Sequence, residues 1–336
     1  MTLLRLEAVT KEFPLTGSLL EELQIIDGRL RRVRPRVHAV NGVSLTLEAG
    51  ETLGVVGESG CGKSTLARLV AGLIEPTQGT VALAAPTAAG SGPATGRNSR
   101  HRVQMVFQNP QASLSPRMRI GAALDEPLRV HYPGLSAPER AEKVQELMAA
   151  VGLNPSWTRR FPHELSGGQR QRVSIARALT PDPDLIVADE PVSALDVSVQ
   201  AQVLNLMVAL RESRGIAYLF ITHDLAVVRH IAQRVAVMYL GVVCELTTPE
   251  QLFTRPRHPY SQALLESVPR LDGKRGSRQP LAGPMPAATE LPSGCLFHTR
   301  CPHRRPQCTA QRPKLLATSG DGHVACHGVA EGWLPH

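Results

Sequence analysis

The residues best suited to chemistry form a glycine-rich stretch in the N-terminal part of the chain. In order they are Gly57, Glu58, Ser59, Gly60, Cys61, Gly62, Lys63, Ser64 and Thr65. The first eight fit the spacing G-x-x-x-x-G-K-[ST], in which glycines let backbone N–H groups turn inward around phosphate oxygens. We expect Lys63 to reach the β- and γ-phosphates of a nucleotide and the Ser64 hydroxyl to bind Mg²⁺. A glycine-rich turn without a ligand is the alternative.

The elements needed to position this loop are present on both sides of it. Residues 53–56 are apolar and predict a buried strand, and residues 65–73 are typical of a helix. A helix that begins at the loop adds the positive end of its dipole to the phosphate site. Strand, loop and helix together favour nucleotide binding over a plain turn.

A second apolar strand ends in two acidic residues. Residues 185–188 are Leu-Ile-Val-Ala, and Asp189 and Glu190 follow them. Such a run fits a central strand of a parallel sheet, and ligands bind at the carboxyl ends of these strands. We expect Asp189 to hold Mg²⁺ through water and Glu190 to act as general base on an attacking water. Two solvent-exposed carboxylates are the alternative interpretation.

A serine and paired glycines before a helical run provide another anion site. The stretch Ser166, Gly167, Gly168 and Gln169, preceded by Leu165, resembles the signature motif of ATP-binding cassette (ABC) ATPases. The family's other marks occur in its order. They are Gln108 for the Q-loop, Ser193-Ala194-Leu195-Asp196 for the D-loop, and His223, after Phe-Ile-Thr, for the switch histidine.

The resemblance covers roughly residues 1–270 and implies an α/β fold of the P-loop NTPase type. Residues 1–270 would form the ABC ATPase domain, with a mostly parallel core sheet, an antiparallel β subdomain and an inserted helical subdomain at about 109–180. Residues 271–336 would form a linker and a small Cys-rich extension. The pattern of the residues agrees with this, since residues 3–9, 43–47 and 79–83 predict strands and residues 120–165 are rich in helix-forming sequence.

The resemblance also implies a mechanism. Two cassettes would pair head to tail, with each ATP between one phosphate loop and the partner's signature motif. Gly167, Gln169 and Asp196 would belong to this shared site, and Ser166 and Gly168 would contact a γ-phosphate bound by the other subunit.

The remaining roles that the resemblance implies lie around the reacting phosphate. Gln108 would bind Mg²⁺, Glu190 would be the base, and His223 would steady the γ-phosphate. Phe13 occupies the place of the aromatic residue that stacks on adenine.

In the individual residues of several stretches, the chain resembles the ATPases of oligopeptide and dipeptide importers. The matching stretches are 57–65, 106–110, 193–200, and 258–261 followed by 263–265. This implies two transmembrane permease subunits, a second ABC ATPase (a paralogue or another copy) and an extracytoplasmic solute-binding protein. Gln108 and the helical subdomain would carry the coupling. The expected location is the cytoplasmic face of the inner membrane, as a peripheral subunit. Peptides are the default cargo, and metal chelates, opines and sugars stay open.

Composition narrows the alternatives. In the 336 residues no apolar run is long enough to span a membrane, and the first 13 residues lack the pattern of a signal peptide. The net charge of +8 would suit an anionic surface, but aromatic residues make up only 4% and no aromatic-rich basic patch indicates nucleic acid. A soluble ABC ATPase of DNA repair or translation is the alternative function, although the long heptad insertion of the former and the second cassette of the latter are missing.

An interruption at residues 15–36 has no clear place in the cassette. Ser18 and Glu21 have the spacing of a capping box, and apolar residues at 19, 20, 23 and 26 predict a short helix that ends at Gly28. Five arginines follow between residues 29 and 36. The segment is either a solvated surface helix or a contact with a membrane partner or anionic lipid.

Four of the six cysteines cluster near the end of the chain. Cys295, Cys301, Cys308 and Cys326 have the spacing C-x5-C-x6-C-x17-C, which fits neither the usual zinc pattern nor the bacterial ferredoxin pattern. Four thiolates could hold Zn²⁺ or an iron–sulfur cluster, with nearby histidines as substitutes, and free thiols are the third possibility. The resemblance of residues 294–302 to the importer ATPases favours a [4Fe–4S] cluster, because some members carry one there.

Overall fold

The computed structural model describes residues 1–15, 35–84, 101–109, 113–267, 283–318 and 322–334, and the backbone of two short strands between 23 and 32. The strands are β1 Thr2–Pro14, β2 Leu23–Ile26, β3 Arg29–Arg32, β4 Arg36–Glu48, β5 Thr52–Val56, β6 Gln78–Leu83, β7 Val103–Val106, β8 Leu185–Asp189, β9 Ala217–Ile221, β10 Arg234–Tyr239, β11 Val242–Thr247, β12 Leu316–Ala317 and β13 His323–Val324.

Ten α-helices lie in the described ranges. They are α1 Lys63–Val70, α2 Ile120–His131, α3 Ala137–Ala150, α4 Gly167–Leu179, α5 Val197–Arg214, α6 Leu225–Ile231, α7 Pro249–Thr254, α8 Pro259–Glu266, α9 Pro306–Ala310 and α10 His327–Ala330. Short 3₁₀ turns at Pro155–Arg159 and Pro162–Glu164 connect α3 to α4.

The central sheet has eight strands in the order β12-β13-β11-β10-β5-β9-β8-β7. Its middle is parallel, from β10 through β5, β9 and β8 to β7, and its other end is antiparallel. Every residue of β5 and β9 is buried, as expected for strands covered on both faces. The mostly parallel α/β core predicted from the sequence is confirmed, and the carboxyl ends of β5, β8 and β9 meet at one edge.

A smaller antiparallel sheet, β4-β1-β6, covers the helix that follows the phosphate loop. Leu4, Leu47, Leu53 and Leu66, from β1, β4, β5 and α1, lie in one apolar cluster and are almost inaccessible to solvent. Burial of each such side chain stabilises the fold by about 1.5–3 kcal/mol. This packing fixes α1, and with it the loop that precedes α1.

Helices α2, α3 and α4 are inserted between β7 and β8, and their apolar side chains pack in one core with those of β7, β8, β9 and α5. That core includes Leu124, Met148 and Val173, which are fully buried. Helix α3 begins at a capping box in which Ser136 accepts from the backbone of Glu139, and the Glu139 side chain accepts from the backbone of Ser136. The inserted helical subdomain expected with this fold is therefore present, and its bounds at about 109–180 stay a prediction.

The segment at 15–36 differs from the prediction. Residues Leu23–Ile26 and Arg29–Arg32 pair as antiparallel strands rather than continuing a helix. Asp27-Gly28 stands between them in the sequence, and this dipeptide is a strong hairpin signal that outweighs a short helical pattern. The rest of the predicted helix lies outside the described residues.

The C-terminal residues join the same sheet. Strand β13 pairs with β11 through Val324 and Glu245, and β12 pairs with β13. The division of the chain near residue 270 stays a prediction, and most of the predicted linker lies outside the described residues. None of the helices in the described ranges is long and apolar enough to cross a membrane.

The buried imidazole of His258 gives the protein a predicted pH dependence. His258 is 2% exposed, and its Nδ1 accepts from the backbone N–H of Tyr260 at 3.0 Å. Burial lowers the pKa of His258 from its ordinary 6.5 to about 4. Below about pH 6.5 the unfolded chain therefore binds a proton at His258 that the folded chain does not bind. This difference lowers the free energy of unfolding progressively as the pH falls from 6.5 towards 4, and it has no effect well above pH 6.5.

We expect the free energy of unfolding to fall by about 2 kcal/mol more between pH 7 and pH 5 in the wild type than in His258→Asn. Asparagine can still accept the helix-capping hydrogen bond but does not titrate. Denaturant unfolding at the two pH values measures the difference. An equal loss of the free energy of unfolding between pH 7 and pH 5 in the two proteins would show that burial does not hinder protonation of His258.

Candidate active site

The phosphate loop connects β5 to α1 and is closed by its own lysine. The Lys63 ammonium donates to the backbone oxygens of Gly57 and Glu58, each at 2.8 Å, and the residue is 6% exposed. Gly62 has a φ of 106°, and a Cβ there would lie 2.1 Å from the backbone oxygen of Ala39. Only glycine fits this position, so the sequence pattern has a steric cause.

The oxygen donors expected at Mg²⁺ meet at the same place. The Ser64 hydroxyl donates to Asp189 Oδ1 at 3.1 Å. Burial raises the pKa of the Asp189 carboxyl, and the neighbouring Glu190 adds to that rise against the Ser64 hydrogen bond. A hydroxyl and a carboxylate at the edge of a phosphate loop fit a hard cation that keeps several waters and also binds phosphate. Bound there, Mg²⁺ would neutralise charge on the phosphates.

Glu190 lies at the centre of a constellation of three side chains. Gln108 Nε2 donates to Glu190 Oε2 at 3.2 Å, and His223 Nδ1 lies 3.1 Å from Glu190 Oε1. Glu190 has a φ of 49°, and its backbone N–H donates to the oxygen of Ile221 at 2.9 Å. Left-handed backbone at a non-glycine residue costs of order 1–3 kcal/mol and is concentrated at functional sites. The end of β8 thus holds one carboxylate in a fixed, strained position.

A cavity of about 550 Å³ opens over the loop and this constellation. Its described lining is Phe13, Val37, Ala39, Ser59, Gly60, Gly62, Lys63, Ser64, Thr65, Glu190, His223 and Ala288. The volume is ample for a nucleotide-sized ligand. Phe13 is 36% exposed, and the Lys11 ammonium lies 5.2 Å from its ring centroid. An aromatic face therefore borders the cavity, beside the phosphate loop.

Two residues of the loop motif turn elsewhere. The Cys61 side chain is 1% exposed and packs in the core beneath the loop, where burial raises its pKa. The Glu58 carboxylate pairs with Arg300 and does not line the cavity in the described part of the chain. Sequence spacing does not distinguish loop residues whose backbone is used from those whose side chain is used.

The signature motif is well formed but lies apart from this cavity. Ser166 caps α4, accepting from the Gln169 backbone at 3.3 Å, while the Gln169 side chain accepts from the backbone of Ser166 at 3.0 Å. A Cβ on Gly168 would lie 2.2 Å from Val199 Cγ1 of α5, so close helix packing requires glycine there. None of residues 166–169, all of them described, lines the cavity over the phosphate loop.

Asp196 is also separate from the cavity within one chain. It caps α5, with Oδ1 accepting from the backbone N–H of Val199 at 2.9 Å and from the Ser198 hydroxyl at 2.8 Å. The hydrogen bond from Val199, followed by that from Ser198, lowers the pKa of the Asp196 carboxyl. The preceding Ser193 donates to the backbone oxygen of Glu190 at 3.1 Å, which links this turn to the base.

Comparison with known proteins agrees with the geometry. Residues 40–193 match the family described as ABC transporter, and residues 244–308 match the oligopeptide/dipeptide transporter C-terminal region. The oligopeptide transport ATP-binding protein AppF of Bacillus subtilis (strain 168) is 50% identical over 331 residues, which are 97% of each chain. The chain belongs to the ABC transporter ATP-binding proteins, in their oligopeptide/dipeptide group.

Other relatives and solved structures support the same placement. The oligopeptide transport ATP-binding protein OppF of Escherichia coli (strain K12) is 52% identical over 304 residues, 89% of this chain and 91% of OppF. A dimeric structure of a post-hydrolysis state of the ATP-binding cassette MJ0796, bound to ADP and Pi, superposes with a TM-score of 0.60 at 28% identity. It covers 73% of this chain and 98% of that one. This ABC protein is therefore an ATPase that binds and hydrolyses ATP.

The prediction of a metal centre in the Cys-rich extension is wrong. Cys295, Cys301, Cys308 and Cys326 all lie in described ranges, and within those ranges no three His, Cys, Asp or Glu side chains are grouped so that they could hold a metal ion. Cys295 and Cys301 pack against the apolar cluster around Phe297. Burial raises the pKa of both thiols to about 11.

The relatives are described as ATP-binding proteins, with no mention of a cluster. In the structure the four cysteines of the ABC protein's extension are free.

Some residues of the site have no signal in the sequence. Val37 and Ala39 of β4 and Ala288 of the extension line the cavity, although they belong to no motif. Tyr260 accepts a hydrogen bond from the loop, and its stretch 258–261 is marked only by subfamily resemblance. These contacts join positions far apart in the chain, and one sequence without its relatives gives no information on such pairs.

Proposed function

We propose that the chain is the ATP-hydrolysing subunit of a peptide importer, with the phosphate loop as its ATP site. The observation that carries the proposal is the convergence of Gln108 and His223 on the strained Glu190, beside Ser64 and Asp189. The names of the relatives, which are oligopeptide and dipeptide transport proteins, support peptide as the cargo.

In the proposed mechanism the chain's residues position phosphate and water. The Lys63 ammonium would exchange the backbone oxygens of Gly57 and Glu58 for β- and γ-phosphate oxygens, and Ser64 and Asp189 would provide oxygens for Mg²⁺. Glu190 accepts a proton from the attacking water. Gln108 and His223 hold the Glu190 carboxylate, and the His223 side chain, 61% exposed, is free to turn towards the γ-phosphate.

A second cassette is proposed to complete the site. Ser166 and Gly168 lie outside the cavity of their own chain, yet they form a capped helix start suited to an anion. The dimeric structure of the MJ0796 cassette supports pairing of such domains. ATP would favour the paired state because it contacts both chains only there, and hydrolysis would remove that preference. The partner is a paralogous ATPase or a second copy.

A groove between the core and the helical subdomain is the proposed contact with a permease subunit. It has a volume of about 620 Å³ and lies between β7 with the end of α1 and helices α2 and α4. Three apolar side chains are exposed at it: Leu73 by 57%, Phe107 by 36% and Val130 by 71%. Phe107 immediately precedes Gln108, which donates to Glu190, so a partner bound in the groove can change the position of the Glu190 carboxylate. The protein would thereby sit at the cytoplasmic face of the membrane, with a solute-binding protein on the other side.

A negative charge introduced into this groove is expected to weaken binding of the protein to its permease. We predict that two polytopic membrane proteins co-purify with the tagged wild type from detergent-solubilised membranes, and that Val130→Glu lowers their recovery about tenfold. The control is Leu316→Glu, which alters an exposed leucine on the extension. ATP binding should be equal in all three proteins.

Failure to recover membrane proteins with the wild type would contradict the importer proposal. Full recovery with Val130→Glu would reject the groove as the contact and leave the ATPase assignment intact.

A further inference from the structure

Glu58, the second residue of the phosphate loop, is held at three points. Its backbone oxygen accepts from the Lys63 ammonium at 2.8 Å, within the loop itself. Its backbone N–H donates to the Tyr260 hydroxyl at 2.9 Å, and its carboxylate oxygens lie 3.0 and 3.1 Å from Arg300 Nη1. Two of the three contacts therefore come from residues 202 and 242 positions later in the chain.

The ion pair at this position is well shielded from solvent. The Arg300 side chain is 6% exposed and that of Glu58 is 25% exposed. The Arg300 guanidinium also lies 5.8 Å from the ring centroid of Tyr239. Loss of one partner of such a pair leaves the other charge uncompensated, which costs far more than loss of an exposed pair. The carboxylate is therefore held firmly in one place.

Arg300 and Tyr260 are positioned by a shared aromatic cluster. The ring of Phe297, three residues before Arg300, lies 5.4 Å from that of Tyr260 and 5.3 Å from that of Tyr239. The rings of Tyr239 and Tyr260 are 4.7 Å apart. Because Phe297 belongs to the extension, seating of the extension on the cassette determines where both contacts to Glu58 are made.

The extension also reaches the nucleotide cavity directly. The backbone oxygen of Ala288 accepts from the N–H of His38 at 2.8 Å, and Ala288 lines the cavity. Met285 Cε lies 3.4 Å from the point where a Cβ on Gly60 would be. Contacts at Glu58, at Gly60 and at His38 thus come from one segment, residues 285–300.

We propose that the C-terminal extension is a working part of the ATP site and that Arg300 is its main positioning residue. By holding the Glu58 carboxylate, Arg300 keeps the phosphate loop in its binding shape and keeps a negative charge away from the phosphates. Tyr260 acts on the same residue through its backbone. The proposal rests on the assignment of the phosphate loop as the ATP site.

Removal of the positive charge of Arg300 should weaken ATP binding without changing the rate of the hydrolysis step. In Arg300→Gln the Glu58 carboxylate loses its partner and repels the incoming phosphates. We expect Kd for ATP to rise about tenfold. The isosteric Tyr260→Phe should raise Kd about threefold, since it removes one neutral hydrogen bond. Because both act on Glu58, the double variant should fall short of the thirtyfold product of the two changes.

The test is equilibrium binding of ATP to the full-length chain, with steady-state kinetics and thermal unfolding of the same samples. KM for ATP should rise together with Kd, while kcat stays within about twofold of the wild-type value. A general loss of structure would lower kcat as well. The matched control is Arg304→Gln, an exposed arginine in the same extension. It should bind ATP like the wild type.

Each outcome bears on a different claim. If Arg300→Gln does not fold, Tyr260→Phe decides the matter, and a Kd within about 1.5-fold of the wild type overturns the proposal. Equal effects of Arg300→Gln and Arg304→Gln also overturn it. Wild-type binding by Lys63→Ala would instead overturn the assignment of the ATP site on which the proposal rests.

Discussion

ATP turnover by Glu190→Gln is expected to fall about a thousandfold, while ATP binding persists. The substitution keeps the size of the side chain and one hydrogen-bonding oxygen, but an amide does not accept the proton of the attacking water. Loss of a general base costs 10²–10⁴-fold in typical enzymes. The contacts at Lys63 and Ser64 are unaffected, so Kd should change by less than about threefold.

Two measurements distinguish this outcome from a general defect. Phosphate release gives the rate, and light scattering with ATP should show a dimer that persists because hydrolysis no longer separates the two cassettes. A matched control is Glu164→Gln, which changes an exposed carboxylate near the signature motif. Turnover by Glu190→Gln close to that of the wild type would contradict its role as the base.

Replacement of Lys63 by Ala should weaken ATP binding about a hundredfold or more. In the structure the buried ammonium donates to the backbone oxygens of Gly57 and Glu58, each at 2.8 Å, and to the Cys61 sulfur at 3.8 Å, all within the loop. Phosphate oxygens are charged and replace these acceptors on binding. A hydrogen bond to a charged group contributes about 1.5–3 kcal/mol, and Lys63 offers more than one.

Equilibrium binding of ATP measures this loss directly. Lys143→Ala, which removes an exposed lysine on α3, serves as the control and should leave Kd unchanged. Because Lys63 also stabilises the loop through its hydrogen bonds to Gly57 and Glu58, thermal unfolding of both variants should be recorded. A stable Lys63→Ala protein with wild-type Kd would place the nucleotide elsewhere.

The features that the sequence predicts well are local. The positions of β5, α1 and β8 follow from apolar runs next to glycines or carboxylates, and the positive φ of Gly62 belongs to the turn of the loop itself. The start of α4 at Gly167 follows from the helical run after Ser166 and the paired glycines. In each case the physical cause lies within a few residues, so one sequence is enough to detect it.

The convergence of distant residues on Glu190 required the family resemblance. Gln108 and His223 are single polar residues at strand ends, and such residues are common. Only their order along the chain relative to the known motifs indicated a role. The structure places both within hydrogen-bonding distance of the Glu190 carboxylate, although their roles in catalysis stay predictions.

The errors concern residues whose environment is set by long-range packing. The cysteines of the extension looked like ligands because four lie close in sequence, but no metal-binding group forms among the described residues, and Cys295 and Cys301 pack against the apolar cluster around Phe297. In the segment at 15–36, a helical spacing of leucines competed with Asp27-Gly28, and the hairpin prevailed. The contact of Arg300 with Glu58 had no sequence signal at all.

Peptide uptake by cells that produce the protein tests its central role most directly. Uptake of a labelled oligopeptide should be measured in cells that carry the wild type, Glu190→Gln or the control Glu164→Gln at the native locus. We predict that uptake falls to background with Glu190→Gln and is retained with the control. Undiminished uptake with Glu190→Gln, at equal protein levels, would contradict the conclusion that ATP hydrolysis by this chain drives peptide import.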